Sequence, residues 1–255
     1  MQTGAITGYI DVAQLALYAF WIFFAGLIYY LHRENKREGY PLESDRSAHI
    51  TVQGWPPVPA PKSFHLADGR VIQAPAPQRD AQPPLAAEPA GNFPGAPLRP
   101  TGNPMLDGVG PGAYALRADV PDTTVDGTPR IVPLRADGQF AVAGQDGDPR
   151  GLPVVGADGQ VGGKVTDLWV DRAEMLFRYL EVEVADGARR VLLPINFARI
   201  GDRRINVKSI LGAQFAQVPP TRSADQVTML EEERIMAYYG AGTLYATPAR
   251  QEPLL

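Results

Sequence analysis

The run from Val12 to Leu31, VAQLALYAFWIFFAGLIYYL, decides what this chain can become. It holds no charged side chain and a single amide, Gln14. A helix of about 20 apolar residues spans roughly 30 Å, the hydrocarbon thickness of a bilayer. No later stretch of the chain approaches it. Everything downstream therefore reads as material held at a membrane surface. A secretory signal would place basic residues before a shorter core and small residues after it. Here the core passes straight into His32-Arg33-Glu34-Asn35-Lys36-Arg37, and only Asp11 among charged residues precedes it. The expected result is a permanent anchor. With all nearby cations on one side, the positive-inside rule puts residues 1–11 outside and the bulk in the cytoplasm. Arg33, Lys36 and Arg37 are expected against anionic headgroups, at about 1 kcal/mol each, with Tyr29, Tyr30 and Tyr40 in the interfacial belt. Ala16, Ala19 and Gly26 fall on one side at helical spacing and allow close approach of another helix. Trp21 sits near mid-membrane, as lipid-facing bulk or as a contact to a larger membrane complex.

The remaining composition is that of a folded domain, with 45% apolar and 20% charged residues overall. A net charge of −4 gives no reason to expect nucleic acid. The absence of cysteine excludes disulfides, thiolate metal sites and cysteine nucleophiles.

Three regions follow the tail and the span. Residues 32–104 form a juxtamembrane, proline-rich stretch, with prolines at Pro56-Pro57, Pro59, Pro61, Pro75, Pro77, Pro83-Pro84, Pro89, Pro94, Pro97, Pro100 and Pro104. Helix interiors and central strands reject that spacing. Trp55, Phe64, Leu66, Val71, Ile72 and Phe93 nevertheless intervene. The expectation is an extended segment lying along a partner, with a short hairpin at Phe64–Val71 turning at Asp68-Gly69. Residues 105–245 change to short strands punctuated by turns: Arg130–Leu134, Phe140–Val142, Leu152–Val155, Gly163–Val170, Phe177–Val184, Arg190–Pro194 and Arg204–Val207. Turns fall at Asp158-Gly159, Asp186-Gly187 and Gly201-Asp202. Tyr179 to Val184 alternates apolar and charged residues, the pattern of a half-buried strand. Many short strands at this spacing predict a small antiparallel barrel or sandwich. Ser223 and Gln226 stand at capping-box spacing and predict a closing helix over about 224–239, ended by Gly240. Val227, Leu230 and Ile235 would face the barrel and Glu231 to Arg234 would be its polar side. Residues 246–255 read as a loose tail.

Catalytic chemistry is hard to find. His32, His49 and His65 lie in the juxtamembrane stretch without partners at metal spacing, so neither a zinc site nor a Ser-His-Asp triad is expected. Gly108-Val109-Gly110-Pro111-Gly112 has the wrong spacing for a phosphate loop, and Pro111 removes a needed amide, so it reads as a turn. Acids cluster at Asp119, Asp122 and Asp126, and Asp171 and Glu174 follow Trp169-Val170, with Arg178 four residues beyond Glu174. Two readings stand. They are solvated charges of turns and strand faces, or carboxylates whose pKa values are raised by proximity or desolvation so that they pass protons.

Three segments together, FWIFFAGLIYYLHRENKREGYPLE, NPMLDGVGPGAYALRADVPD and GGKVTDLWVD followed by YLEVEV and LLP, carry a resemblance. The chain resembles the H subunit of the purple-bacterial photosynthetic reaction centre. The match runs from the first helix almost to the C-terminus and is loosest between Ser44 and Ala96. The resemblance implies one transmembrane helix with a periplasmic N-terminus, and a mainly-β cytoplasmic domain, a PRC-type antiparallel barrel closed by a C-terminal helix. It implies a non-catalytic subunit of the bacterial inner, or chromatophore, membrane that caps the L and M subunits, stabilises the assembly, shields the quinone sites and assists proton delivery to the secondary quinone. Bacteriochlorophyll, bacteriopheophytin, quinones, carotenoid and non-haem iron would sit on those partners, with none ligated by this chain. A light-harvesting 1 antenna ring, a cytochrome subunit and anionic lipids are further neighbours it admits.

Carried over position by position, Glu174 matches an interior carboxylate near the secondary-quinone proton path, and Asp171 and Arg178 match its charged neighbours. Asp122 matches an acidic position near the proton entry, and Glu232 an acidic position on the last helix. Where the family's surface histidine pair is expected, this chain has Asp126 and Thr128, and Gln226 replaces a last-helix glutamate. Histidine titrates near neutrality and aspartate near 3.9, so proton entry would run through Asp122 and Asp126 or through another subunit. Two other classes remain open: a free-standing membrane-anchored barrel acting as an adaptor or assembly protein, and an RNA-processing factor with a similar barrel, which the anchor and acidic charge disfavour.

Overall fold

Asp11 starts the first helix, α1 (Val12–Asn35), its carboxylate accepting from the Gln14 amide at 2.7 Å. The computed structural model describes residues 6, 10–44, 47–76, 85–93, 95–185, 187 and 189–251, with the side chains of 43–50 outside that description. Residues 1–5 and 7–9, Pro77, Pro83, Pro84, Pro94, Asp186, the His49 side chain and residues 252–255 therefore lie outside the described residues. The Gln14 side-chain amide donates to the Tyr18 hydroxyl at 2.8 Å, one turn on, so the one side-chain amide of the span has a partner within the helix. α1 runs one turn beyond the apolar run. No residue of its apolar window is buried by the rest of the chain.

Two compact units are separable, Met1–Pro83 and Pro84–Leu255. In the first, the proline-rich stretch is more ordered than an extended segment. It forms two hairpins, β1 (Leu42–Ser44) with β2 (Ser47–Val52) and β3 (Lys62–His65) with β4 (Val71–Ala74). The second turns through Asp68 and Gly69, the glycine at φ +84°. Two of the cations assigned to headgroups are instead spent on backbone. Lys36 is buried, and its ammonium donates to the Gln53 and Pro56 carbonyls, each at 2.6 Å, beneath the Tyr40 ring. Arg37 forks onto Glu34 and reaches the Ala60 and Ala74 carbonyls at 2.6 and 3.0 Å. Loops rich in proline leave carbonyls without amide partners, and these two side chains satisfy them. Arg33 stays exposed. Tyr29 packs on Trp55 at 5.6 Å and Tyr30 lies under Lys62.

The second unit opens with a hairpin of β5 (Ala87–Pro89) and β6 (Leu98–Pro100). Its main sheet contains β7 (Ile131–Pro133), β8 (Pro153–Val155), β9 (Val161–Asp171), β10 (Leu176–Val184), β11 (Arg190–Pro194), β12 (Ala198–Ile200) and β13 (Ile205–Val207). The order is β11-β10-β9-β8-β13-β12, and β7 joins the far end of β9. The sheet curls as a half barrel. One pair departs from the antiparallel expectation: β13 runs parallel to β8, because the chain returns to the sheet only after β9 to β12. Phe140 to Val142 is not a strand, but Phe140 and Val142 still pack on the core as irregular chain. β12 is an additional strand between Pro194 and Gly201.

The closing helix, α2, is Met229–Tyr245, later at both ends than the spacing of Ser223 and Gln226 predicts. Thr228 is the N-cap, accepting from the Glu231 amide at 3.1 Å while Glu231 accepts from the Thr228 amide at 2.8 Å. The Thr228 hydroxyl also donates to Asp119, and the Met229 amide to the Val120 carbonyl, so this start is tied to a second segment. The Ser223 hydroxyl accepts from the Asp225 amide and its carbonyl from the Thr221 hydroxyl, in a local turn. Glu231 is thus a buried cap rather than part of a polar face. Leu180, Leu193, Ile205, Phe215 and Ile235 form the fully buried centre, and Tyr239 stacks on Phe197 at 5.7 Å. Gly240 does not end α2, because it and Gly242 serve close packing. A methyl on Gly242 would lie 2.5 Å from both the Ile210 side chain and the Ser209 carbonyl.

Gly242→Ala should therefore lower stability. The alanine gains about 1 kcal/mol of helix propensity, and overpacking costs about 1–3 kcal/mol. Urea unfolding of the full chain in detergent should show a lower midpoint; a higher midpoint would mean that the Ser209–Ile210 turn yields freely.

Candidate functional site

Asp171 ends β9 with no solvent exposure. A buried carboxylate must be met by hydrogen bonds and opposite charge. One of its oxygens accepts from the Ala173 and Glu174 amides, both at 3.0 Å, which winds the β9–β10 turn around it. Arg130, just before β7, donates to it through Nε at 2.9 and 3.0 Å, and Arg178 on β10 does so at 3.2 Å. The same two guanidiniums reach Glu174, at 2.5 and 2.7 Å, and Arg130 also reaches Asp122 at 3.1 Å. Asp122, Arg130, Asp171, Glu174 and Arg178 are thus one connected ionic cluster of three carboxylates and two guanidiniums.

Burial alone would raise the Asp171 carboxyl. Hydrogen bonds from Arg130, the Glu174 amide and Arg178 outweigh that and hold it below the ordinary carboxylate range. Glu232 behaves in the opposite way. It projects from α2, accepts from the Tyr179 hydroxyl at 2.8 Å, and burial pushes its carboxyl upward despite that bond. Burial and the facing carboxylate likewise push the Tyr179 phenol up. Glu232 and Arg178 share a cavity of about 500 Å³ with Arg117, Tyr179 and Glu233. That cavity adjoins the cluster through Arg178.

Five of the six proton-transfer candidates from the sequence, Glu174, Asp171, Arg178, Asp122 and Glu232, therefore lie in or beside one network. Asp126 does not join it. It is exposed at the tip of a turn closed by Thr124 and Thr128, whose hydroxyls are 2.9 Å apart. Among the described residues, no group of His, Cys, Asp and Glu is arranged to hold a metal ion.

Sequence reasoning missed the hub, Arg130. Its only signal is a cation placed directly before a buried strand and shortly after three acids. It also missed Glu181. Alternation along β10 puts Glu181 and Glu183 on one face, yet Glu181 is buried and Glu183 exposed. Arg135 at 2.8 Å, Thr166 at 2.9 Å, the Trp169 indole at 3.1 Å and Arg190 at 3.2 Å cover Glu181. Those groups come from three other elements, which a strand period cannot reveal.

Arg130→Met should cost about 3 kcal/mol, the lower end for breaking a buried pair, because Arg178 remains. The folded pKa of Asp171 lies below its unfolded value of about 3.9. Its contribution to stability is therefore present above that unfolded value and lost as pH falls through the folded one. The variant should begin acid unfolding at higher pH, as read by thermal melting between about pH 7 and pH 3. Identical melting at every pH would remove Arg130 from the role of counterion.

Two family models match the chain. Residues 4–136 match the photosynthetic reaction centre H-chain N-terminal region, and residues 145–214 match the PRC-barrel domain. The first covers more than half of the chain and includes α1, the acidic loop and Arg130; the second covers most of the curled sheet, with Asp171, Glu174 and Arg178 inside it. An apolar helix of membrane-spanning length joined to a half-barrel sheet closed by a helix fits both matches, and the chain belongs to the family of photosynthetic reaction-centre H chains, structural subunits of a membrane-anchored complex.

Proposed function

We propose that this H chain caps the pigment-bearing L and M subunits on the cytoplasmic side, shields their quinone sites and helps deliver protons to the secondary quinone. One observation carries the proton role: a continuous ionic network leads from the partly exposed Asp122 through Arg130, Glu174 and Arg178 to a cavity where Glu232 is raised by burial. A raised carboxyl keeps its proton to higher pH than a solvated one and so serves as donor and acceptor nearer neutrality. Glu174 lies between the two guanidiniums as the connecting acid. Asp171, held ionised, positions both arginines rather than exchanging protons. Asp126, beyond the network, supplies surface charge near the entry.

The sidedness supports the same reading. Arg33, Lys36 and Arg37 follow the apolar run and no basic residue precedes it, which favours a periplasmic N-terminus and a cytoplasmic main domain in the bacterial inner membrane. Bacteriochlorophyll, bacteriopheophytin, carotenoid, quinones and non-haem iron then belong to the partner subunits, and this chain contributes no ligand to them. Arg33 remains available to an anionic headgroup, and an antenna ring or cytochrome subunit would meet the complex elsewhere.

Glu174→Gln and Glu232→Gln, each in the assembled complex, should slow flash-induced proton uptake and the coupled second electron transfer to the quinone severalfold. Glutamine retains an acceptor for Tyr179 in the second variant, so its fold is preserved. Because the folded pKa of Glu232 is raised, its proton is present at low pH and lost as pH rises through that value. The Glu232 effect should accordingly shift the upper limb of the rate profile. Unchanged rates across about pH 6 to 9 in both variants would take the network off the path.

Asp126 and Thr128 stand where the family's histidine pair is expected, so cadmium or zinc at micromolar levels should barely slow proton uptake. Strong inhibition would show that other ligands replace the imidazoles.

A further inference from the structure

We propose that the cavity between the β12–β13 hairpin and the end of α2 binds an anion of the phosphate class. The cavity encloses about 490 Å³, within the usual range of small-ligand sites. Its charge is one-sided. Arg199, Lys208 and Arg250 line it, and among the described residues no carboxylate does. The other large cavities of this unit are mixed: Glu232 and Glu233 share one with arginines, and Asp137, Asp167 and Glu181 share another.

The fold places these groups deliberately close. Arg199 is directly opposite Asn206 in the hairpin register, so the two side chains share a sheet face. Strand alternation carries Lys208 toward that face from just past β13. Arg250 is fixed rather than floating: its guanidinium donates to the Ser209 and Gly242 carbonyls at 2.6 and 2.5 Å, and to the Lys208 carbonyl at 2.8 Å. Among the described residues, Arg199 and Lys208 have no ion-pair or side-chain hydrogen-bond partner. On the same wall Ser209, 5% exposed, carries a buried hydroxyl without a hydrogen-bond partner. Elsewhere in this unit Arg130, Arg135, Arg150, Arg178, Arg190 and Arg222 are paired with carboxylates, whereas among the described residues Arg189, Arg203, Arg204 and Arg234 are not.

Cations gathered without counterions repel one another, and an anion removes that repulsion. Guanidinium, ammonium and amide donors arranged around one space suit a multiply charged tetrahedral oxyanion better than a single carboxylate. The cavity exceeds what one orthophosphate fills. A pyrophosphate or other phosphorylated small molecule fits the space, and so does a phospholipid headgroup entering from a membrane surface.

The test uses the full chain in its assembled complex, purified in detergent at low ionic strength, with an Arg199→Ala/Lys208→Ala variant. Both positions are exposed and outside the proton network, so assembly and electron transfer should be unchanged. Sodium pyrophosphate is titrated calorimetrically, with sodium acetate as the carboxylate comparison. Saturable pyrophosphate binding that weakens by roughly tenfold or more in the variant, and survives in Arg199→Lys/Lys208→Arg, supports a soluble phosphate ligand. In a parallel arm, native mass spectrometry counts retained phosphatidylglycerol. One molecule held by the wild type and lost by the Ala variant, without pyrophosphate binding, assigns the site to a headgroup. Equal acetate and pyrophosphate affinity overturns the phosphate class. No difference between wild type and the Ala variant in either arm overturns the site altogether.

Discussion

A carboxylate shut away from water has to bring its own positive charge, and Asp171 does so from both sides. Its two guanidinium partners come from before β7 and from β10, and its backbone partners come from the turn that follows it. One buried charge therefore fixes how β7 meets β9, how sharply β9 turns into β10, and where the acidic loop around Asp122 is held. Breaking such an arrangement from one side strands a charge in a medium that solvates it poorly. The same demand explains why the acids here are not equivalent. Two carboxyl groups on different elements are driven in opposite directions by what surrounds them: Asp171 downward by paired arginines, Glu232 upward by burial beside a phenol.

Much of this architecture is legible in the residues. The helix needs only a count of apolar positions. The strands β9 to β11 announce themselves through β-branched runs between Asp-Gly turns, and the Asp68-Gly69 hairpin needs only its turn dipeptide. The closing helix is misplaced because two capping signals compete five residues apart. Thr228 prevails through contacts with Asp119 and Val120 that lie more than a hundred residues away. Gly240 misleads for a related reason. Glycine marks helix ends when φ must be positive, yet here it marks close packing, and the two uses look alike in sequence.

The site divides in the same way. Asp171, Glu174 and Arg178 sit within eight positions and share a turn, so local reading groups them. Arg130 and Glu232 enter from other elements. Glu181 is the sharpest case: its parity along β10 equals that of the exposed Glu183, and only side chains from elsewhere decide that one is covered. Periodicity reports which face a residue occupies and is silent on whether that face is roofed.

The grip of Lys36 and Arg37 on the backbone beyond α1 has a mechanical consequence. Four carbonyls, those of Gln53, Pro56, Ala60 and Ala74, hang from two side chains at the end of a membrane-length rod. A rod of fixed apolar length tilts to suit the bilayer around it. With its end bolted to the following chain by these four bonds, that tilt is not absorbed by a slack joint. It swings the β3–β4 hairpin with it, so the thickness of the surrounding lipid becomes an input to where the hairpin stands.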